Sequence, residues 1–375
     1  MVTARKRQKV VLDPEMMSPE ALSLESSLRS SVVGQERSIR YITVMYQMFR
    51  AGLSDSHRPI GIALFMGPTG SGKTYVVEAA ARSLFGDSNA IIKIDCAEFQ
   101  HSHETTKLVG APPGYLGHGQ TDPVLTQSRI DSYHNERAPF TFLLFDEIEK
   151  ASDALWKLLL GILDKATLTL GDNTRVDFSK TVIFMTSNLA AQQMKELVSG
   201  AMGFAPSKAS SLDSESLDQK MYRVAVEEAR RKFSPEFMNR IDKIVVFRGL
   251  TQDHLRRIID LELEALQHHL NMGRGTHFTF TVTEQAKEFL LAEGSDLQYG
   301  ARHIKRAIQR WLVPGLANLI STEQVKTGDT VIIDFDQKRR RFTFFLGVST
   351  KIDFDALFKI AQPVEKFSDT GCVAV

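Results

Sequence analysis

The sequence predicts an α/β protein in two parts: a doubly wound domain on a five-stranded parallel sheet, then a smaller, mostly helical α+β domain. Three observations carry this. Five short apolar runs recur without alternation, at Ile60–Met66, Ala90–Ile94, Phe140–Phe145, Thr181–Thr186 and Lys243–Phe247. Such runs are typical of strands buried on both faces. Helical patterns or loops separate them, as layered α/β domains require. From Thr251 the pattern changes, with long amphipathic stretches replacing the apolar runs.

Taken in order, residues 1–24 are expected to be a flexible amino-terminal arm, 25–249 the large domain, 250–348 the small domain and 349–375 a tail. Within the small domain, Thr251-Gln252-Asp253-His254 opens a long helix, Thr283 opens a second, and Ala301 to Ile320 suggests further turns. Val331–Phe335 and Arg341–Leu346 flank a polar stretch as the arms of a β-hairpin would. Residues 197–220, rich in Ser and small side chains, are expected to form a mobile surface loop. In the tail only Phe354 to Ile360 is amphipathic.

The 375 residues are enough for two cores, and the 43% apolar and 24% charged content is that of an ordinary globular protein. A net charge of +1 gives no field favouring nucleic acid or an anionic membrane. The apolar runs are far too short to span a bilayer, and the basic start, Arg5 to Lys9, is not followed by a signal core. Two cysteines, Cys96 and Cys372, make no disulfide framework or metal motif, so a reducing cytoplasm fits.

The first chemical motif is Gly67-Pro68-Thr69-Gly70-Ser71-Gly72-Lys73-Thr74, between the first apolar run and an amphipathic helix. Glycines let backbone N–H groups curl around phosphate oxygens, and the helix terminus adds partial positive charge. Lys73 is placed for the β- and γ-phosphates of ATP, and Thr74 for Mg²⁺. The second is Phe142-Leu143-Leu144-Phe145-Asp146-Glu147, a strand ending in two carboxylates. Asp146 suits Mg²⁺, which keeps several waters and takes few carboxylates. Glu147 suits a general base for the attacking water. Together the motifs predict a nucleoside triphosphatase without saying what it moves.

Further motifs follow in order: Val32-Val33-Gly34-Gln35, Arg50-Ala51-Gly52-Leu53-Ser54, Gly110-Ala111-Pro112-Pro113-Gly114-Tyr115-Leu116-Gly117, Asp146-Glu147-Ile148-Glu149-Lys150, Thr186-Ser187-Asn188, Phe237-Met238-Asn239-Arg240-Ile241-Asp242 and Tyr299-Gly300-Ala301-Arg302. With these the chain resembles the second ATPase module of the Clp/heat-shock unfoldases of the ClpA, ClpB and ClpC type, as a single-module protein with an AAA+ fold. The resemblance implies that Asn188 is a first sensor of the γ-phosphate, that Arg240 is an arginine finger reaching a neighbour's nucleotide, and that Arg302 is a second sensor acting in cis. It implies that Val32 and Val33 line the adenine pocket. By pattern alone Asn188 also serves as a cap for the next helix, which is compatible with the sensor role. An arginine placed as Arg240 is more often in a surface ion pair, Arg302 makes a salt bridge at a helix start, and two valines more often belong to a core.

The same resemblance implies a homohexameric ring that threads unfolded or tagged proteins. Tyr115 and Leu116 would grip the polypeptide from a central-pore loop, and a second pore-facing loop would lie around Thr169 to Arg175. Met202-Gly203-Phe204 occupies the place where protease-linked relatives carry a tripeptide that docks on a ClpP-like peptidase; the bland alternative is that Phe204 tucks onto the sheet domain. No first module or adaptor domain is visible in the sequence, so partnership with the DnaK system is not implied. A nucleic-acid-associated loader, or an assembly switch that does not thread, is the competing reading. No basic pore or DNA-binding module supports the former.

Overall fold

The computed structural model describes residues 13–111, 123–199, 211–272, 276–294 and 300–347. Tyr115, Leu116, Met202, Gly203, Phe204 and the patch Phe354 to Ile360 lie outside them. The chain divides into two compact units, one of residues 1–261 with 294–305, the other of residues 262–293 with 306–375.

The first unit is built on five parallel strands, β1 (Gly61–Met66), β2 (Ile91–Asp95), β3 (Thr141–Asp146), β6 (Thr181–Ser187) and β7 (Lys243–Val246). Their order is β2-β3-β6-β1-β7. Each begins within one residue of an apolar run read from the sequence. Successive strand side chains face opposite ways, and here both faces are covered. Ile62, Leu64, Ile183 and Met185 pack under Leu155, Leu159 and Ile162 of the helix Asp153–Lys165. Ala63, Phe65, Val182 and Phe184 meet the other layer, made by α1 (Pro19–Ser31), α2 (Glu36–Arg50) and α3 (Lys73–Phe85).

Two stretches differ from expectation. α1 starts at Pro19 behind a Ser18 cap, and Ala21 and Leu24 are fully buried, so folded structure begins inside the expected arm. Residues 211–220 are not loop but the start of a helix, Ser211–Lys232. Met221, Ala225 and Ala229, at four-residue intervals, bury one face of it on the sheet core. Small alanines between charged neighbours make that stripe faint in the sequence, and tertiary packing overrides the Ser-rich composition.

A hairpin of β4 (Thr167–Thr169) and β5 (Arg175–Asp177) occupies the region expected to form a second loop. Gly171 N–H donates to Val109 O at 2.7 Å, tying its tip to the residues just before 112–122.

The second unit holds a three-stranded sheet of β8 (Thr279–Val282), β9 (Thr330–Asp336) and β10 (Arg341–Gly347). β9 and β10 form the antiparallel pair expected; β8, parallel to β9, was not foreseen because its four residues alternate too briefly to register. Phe289, Phe335 and Phe342 cluster on this unit, with the Phe289 and Phe335 rings stacked 3.7 Å apart. Among the described residues, no helix is long and apolar enough to cross a membrane.

Candidate active site

The strand order fixes where the chemical residues meet. β6 lies between β3 and β1, so its carboxyl end stands between the phosphate loop after β1 and the carboxylates ending β3. Asn188, one residue beyond β6, is therefore carried to the middle, at the carboxyl edge where open α/β sheets bind ligands.

The loop Gly67 to Gly72 joins β1 to α3. Gly67 passes so close to Phe247 that a Cβ would fall 2.6 Å from its carbonyl oxygen. Gly72, at φ 95°, takes a left-handed turn that brings Lys73 to the helix start. Thr69 and Gly70 are half-buried; Pro68 and Ser71 are buried, and Ser71 Oγ donates back to Pro68 O at 2.8 Å. A curled loop at the amino end of a 13-residue helix is a ready anion cradle.

Lys73 Nζ donates to Gly67 O at 2.7 Å, to Pro68 O at 2.9 Å and to Asn188 Oδ1 at 2.7 Å. Burial lowers its pKa from 10.5 to about 8, against the pull of Glu149, Asp146 and Glu147, while Arg302 pushes it the same way as burial. A buried ammonium held only by neutral acceptors is poised to exchange them for phosphate oxygens.

Asn188 Nδ2 donates to Glu147 Oε1 at 3.0 Å, so one amide bridges the lysine and the candidate base. Both polar ends of its side chain are thus engaged at the site. Glu147 itself has φ 56°, an uncommon left-handed geometry for a non-glycine residue and one that functional sites favour. It is held there by its N–H to Thr186 Oγ1 at 3.1 Å and by a close ion pair of Oε2 with Lys150. That pair raises the Lys150 pKa, chiefly through the hydrogen bond that Lys150 donates to the Glu147 carboxylate.

Asp146 completes the centre. Thr74 Oγ1 lies 3.2 Å from Asp146 Oδ1, Thr186 Oγ1 makes a short hydrogen bond to the same oxygen, and Lys93 Nζ stands 3.5 Å from Oδ2. A hydroxyl beside a carboxylate is a hard oxygen set, and it fits Mg²⁺.

Sequence reading assigned no role to Thr186, Glu149 or Lys93. Glu149 Oε1 accepts the Asn188 N–H at 2.9 Å, tying the ends of β3 and β6 together. Thr186 and Glu149 are letters within the motifs and Lys93 a lone cation in an apolar run; pairing across the sheet, invisible in linear order, gives them work.

The remaining residues fall in three places. The turn before Arg302 lies on the phosphate loop, with Ala301 N–H 3.3 Å from Gly70 O and a Cβ on Gly300 2.5 Å from that oxygen. Arg302 is near enough to act on the Lys73 charge. Val32 is buried in the core beside α1 to α3, whereas Val33 is half-buried. Arg240 is not at this site. Lys243 pairs with Ala63, so Arg240 lies level with the start of β1, while the phosphate loop follows its end. At about 3.3 Å per residue the strand between them spans roughly 20 Å. There Arg240 Nη1 pairs with Asp164 Oδ1 at 2.8 Å, both side chains about one-third exposed, and Arg58 Nη2 donates to Arg240 O at 3.1 Å. The surface ion pair read as an alternative therefore exists within the isolated chain.

Comparison with known proteins agrees with this architecture. Residues 58–244 match the AAA domain (Cdc48 subfamily) and residues 250–333 match the C-terminal, D2-small domain of ClpB protein. The ATP-dependent Clp protease ATP-binding subunit ClpC of Staphylococcus epidermidis is 38% identical over 332 residues, covering 88% of this chain and 38% of that protein. Its counterpart from Staphylococcus saprophyticus is 39% identical over 328 residues, with the same coverage. The chain thus spans 38% of the length of these curated relatives. A closed-state cryo-EM reconstruction of Hsp104 with ATPγS and FITC-casein superposes with a TM-score of 0.70 at 28% identity, covering 87% of this chain and 52% of that one. On its sheet order, its phosphate loop and both family matches, the chain belongs to the AAA+ ATPase family, as an AAA domain joined to a ClpB-type D2-small domain and homologous to ClpC and the second module of Hsp104.

Proposed function

We propose that this chain is an ATP-dependent protein unfoldase or remodelling chaperone, hydrolysing ATP at the subunit interfaces of a homohexameric ring and threading polypeptide through its centre. The observation that carries the hydrolytic part is the Asn188 amide bridging Lys73 and Glu147. In this reading Gly67 to Gly72 cradle the phosphates, Lys73 binds the β- and γ-phosphates, and Thr74 with Asp146 holds Mg²⁺. The metal neutralises charge on the phosphate oxygens. Glu147 takes the proton of the attacking water, and Asn188 orients that carboxylate and senses the γ-phosphate. Val32 and Val33 border the adenine, and Arg302 reports nucleotide state in cis.

Arg240 supports assembly as part of the reaction. It stands at the opposite edge of the sheet from its own phosphate loop, a placement that suits contact with a neighbour's nucleotide rather than its own. A finger given in trans makes the ring necessary for turnover, and a head-to-tail interface closes into one. The names of the relatives, an ATP-binding subunit of a Clp protease and Hsp104 resolved with casein, favour protein as the substrate. In this reading Tyr115 and Leu116 grip the polypeptide, the turn around Thr169 to Arg175 is a second pore-facing element, and Met202-Gly203-Phe204 docks a ClpP-like peptidase. Cytoplasmic residence goes with this role.

The test is unfolding of a tagged fluorescent protein by the intact chain, Glu147→Gln and Tyr115→Ala, with and without ClpP. Fluorescence should fall only with the intact chain and ATP, while Tyr115→Ala keeps basal hydrolysis. Hydrolysis stimulated by DNA and not by unfolded protein would refute the reading. Peptide cleavage unchanged on adding ClpP would remove the docking tripeptide from it.

A further inference from the structure

We infer that Gln35 is a positioning residue for the phosphate cradle, through a clamp that fixes which way the Ser71–Gly72 peptide faces. This rests on the reading of the loop as an ATP-phosphate site.

Gln35 precedes α2, and its side chain is buried, with 5% of the residue exposed. A buried primary amide must place two N–H donors and a carbonyl. Nε2 donates to Ser71 O at 3.0 Å and to Arg248 O at 3.0 Å, and Oε1 accepts the Arg248 N–H at 3.4 Å. The amide thus meets both backbone groups of Arg248, as a neighbouring strand would, and spends its second donor on the phosphate loop.

In a trans peptide the carbonyl and the following N–H point in opposite directions. Holding Ser71 C=O toward Gln35 therefore turns the Gly72 N–H away from it, to the other side of the loop. Gly72 has no side chain and adopts φ 95°, so little else restrains that plane. The clamp has a firm base. Phe247, adjacent to Arg248, donates its N–H to Met66 O at 2.7 Å and packs against Gly67. Gln35 also comes two residues after Val33, so it joins the segment proposed to border the base to the loop proposed to hold the phosphates.

An interaction equal in ground and transition states changes KM and leaves kcat in place. Gln35→Glu keeps the shape but sets a carboxylate against two carbonyl oxygens; Gln35→Met keeps the volume and removes all three hydrogen bonds. The experiment titrates fluorescent ATP and ADP into the parent chain and both variants, with kcat and KM measured alongside. Both variants should bind each nucleotide at least about tenfold more weakly, with kcat retained within about threefold. A purely structural role lowers the folded fraction and hence apparent kcat, but leaves the affinity of folded molecules unmoved. That outcome, or affinities within twofold of the parent in whichever variant folds, overturns the inference while the ATP-site reading stands. No nucleotide binding by the parent chain overturns both.

Discussion

Replacing Asn188 by alanine should separate binding from turnover. The Asn188 side chain receives Lys73 Nζ at 2.7 Å and donates to Glu147 Oε1 at 3.0 Å. Its removal leaves Lys73 two carbonyl partners, Gly67 O and Pro68 O, and leaves the backbone cradle untouched. Glu147 keeps its Thr186 contact and Lys150 but loses the donor that aims Oε1 toward the phosphate side. A hydrogen bond to a charged group is worth about 1.5–3 kcal/mol, which as lost transition-state stabilisation is roughly a 10- to 150-fold drop in kcat. ATP affinity should stay within about threefold, since the lysine and the loop still meet the phosphates. Asn188→Asp should be worse than alanine for both steps, because a carboxylate about 3 Å from Glu147 opposes the ionised base and repels the γ-phosphate. Steady-state ATPase assays paired with nucleotide titration read both quantities. An alanine variant with parental kcat, or with affinity and kcat falling together, would refute the assignment.

Two other outcomes follow. Breaking the Arg240–Asp164 pair by Asp164→Ala should cost no more than about 1 kcal/mol in a urea melt, because a pair whose side chains are each about one-third exposed is screened by solvent. Arg240→Ala should be as mild on stability yet lower the ATPase rate about 10³-fold or more; equal, small effects on both would leave only the ion pair. Lys73 gives a pH signature. Phosphate binding needs the ammonium, whose pKa burial lowers to about 8. ADP affinity in EDTA should therefore be flat below that pH and weaken above it, approaching tenfold per pH unit, while Lys73→Met shows no such break. The sign for folding is opposite: with the folded pKa below its ordinary 10.5, this group's contribution to nucleotide-free stability is full above pH 10.5 and lost as pH falls through 8.

The sheet was legible because its strands are buried on both faces, and continuous apolar runs mark such strands to within a residue at their starts. The phosphate loop and Asp146-Glu147 were legible because their chemistry needs particular residues at fixed spacing. Asn188 was legible as a letter of Thr186-Ser187-Asn188 through the resemblance, and the strand order then sets it beside Glu147. The supporting residues were not legible. Thr186, Glu149 and Lys93 act through neighbours on other strands, and no local pattern distinguishes a threonine that orients Asp146 from one that fills a strand. The helix Ser211–Lys232 was hidden by serine-rich composition and an alanine stripe, and β4 and β5 by having three residues each. Gln35 was visible only as a letter in a motif; its three hydrogen bonds to Ser71 and Arg248 are long-range facts.

That the nucleotide is cleaved between two subunits is tested most directly by mixing two inactive variants. Glu147→Gln keeps Arg240 but has no base, and Arg240→Ala keeps Glu147 but has no finger. In a randomly mixed ring about a quarter of the interfaces pair an intact base with a neighbour's intact arginine. The account predicts that each variant alone is nearly inert and that equal mixing restores ATPase activity toward that fraction of the parental rate. A mixture as inert as its components, after subunit exchange has been verified, would contradict it.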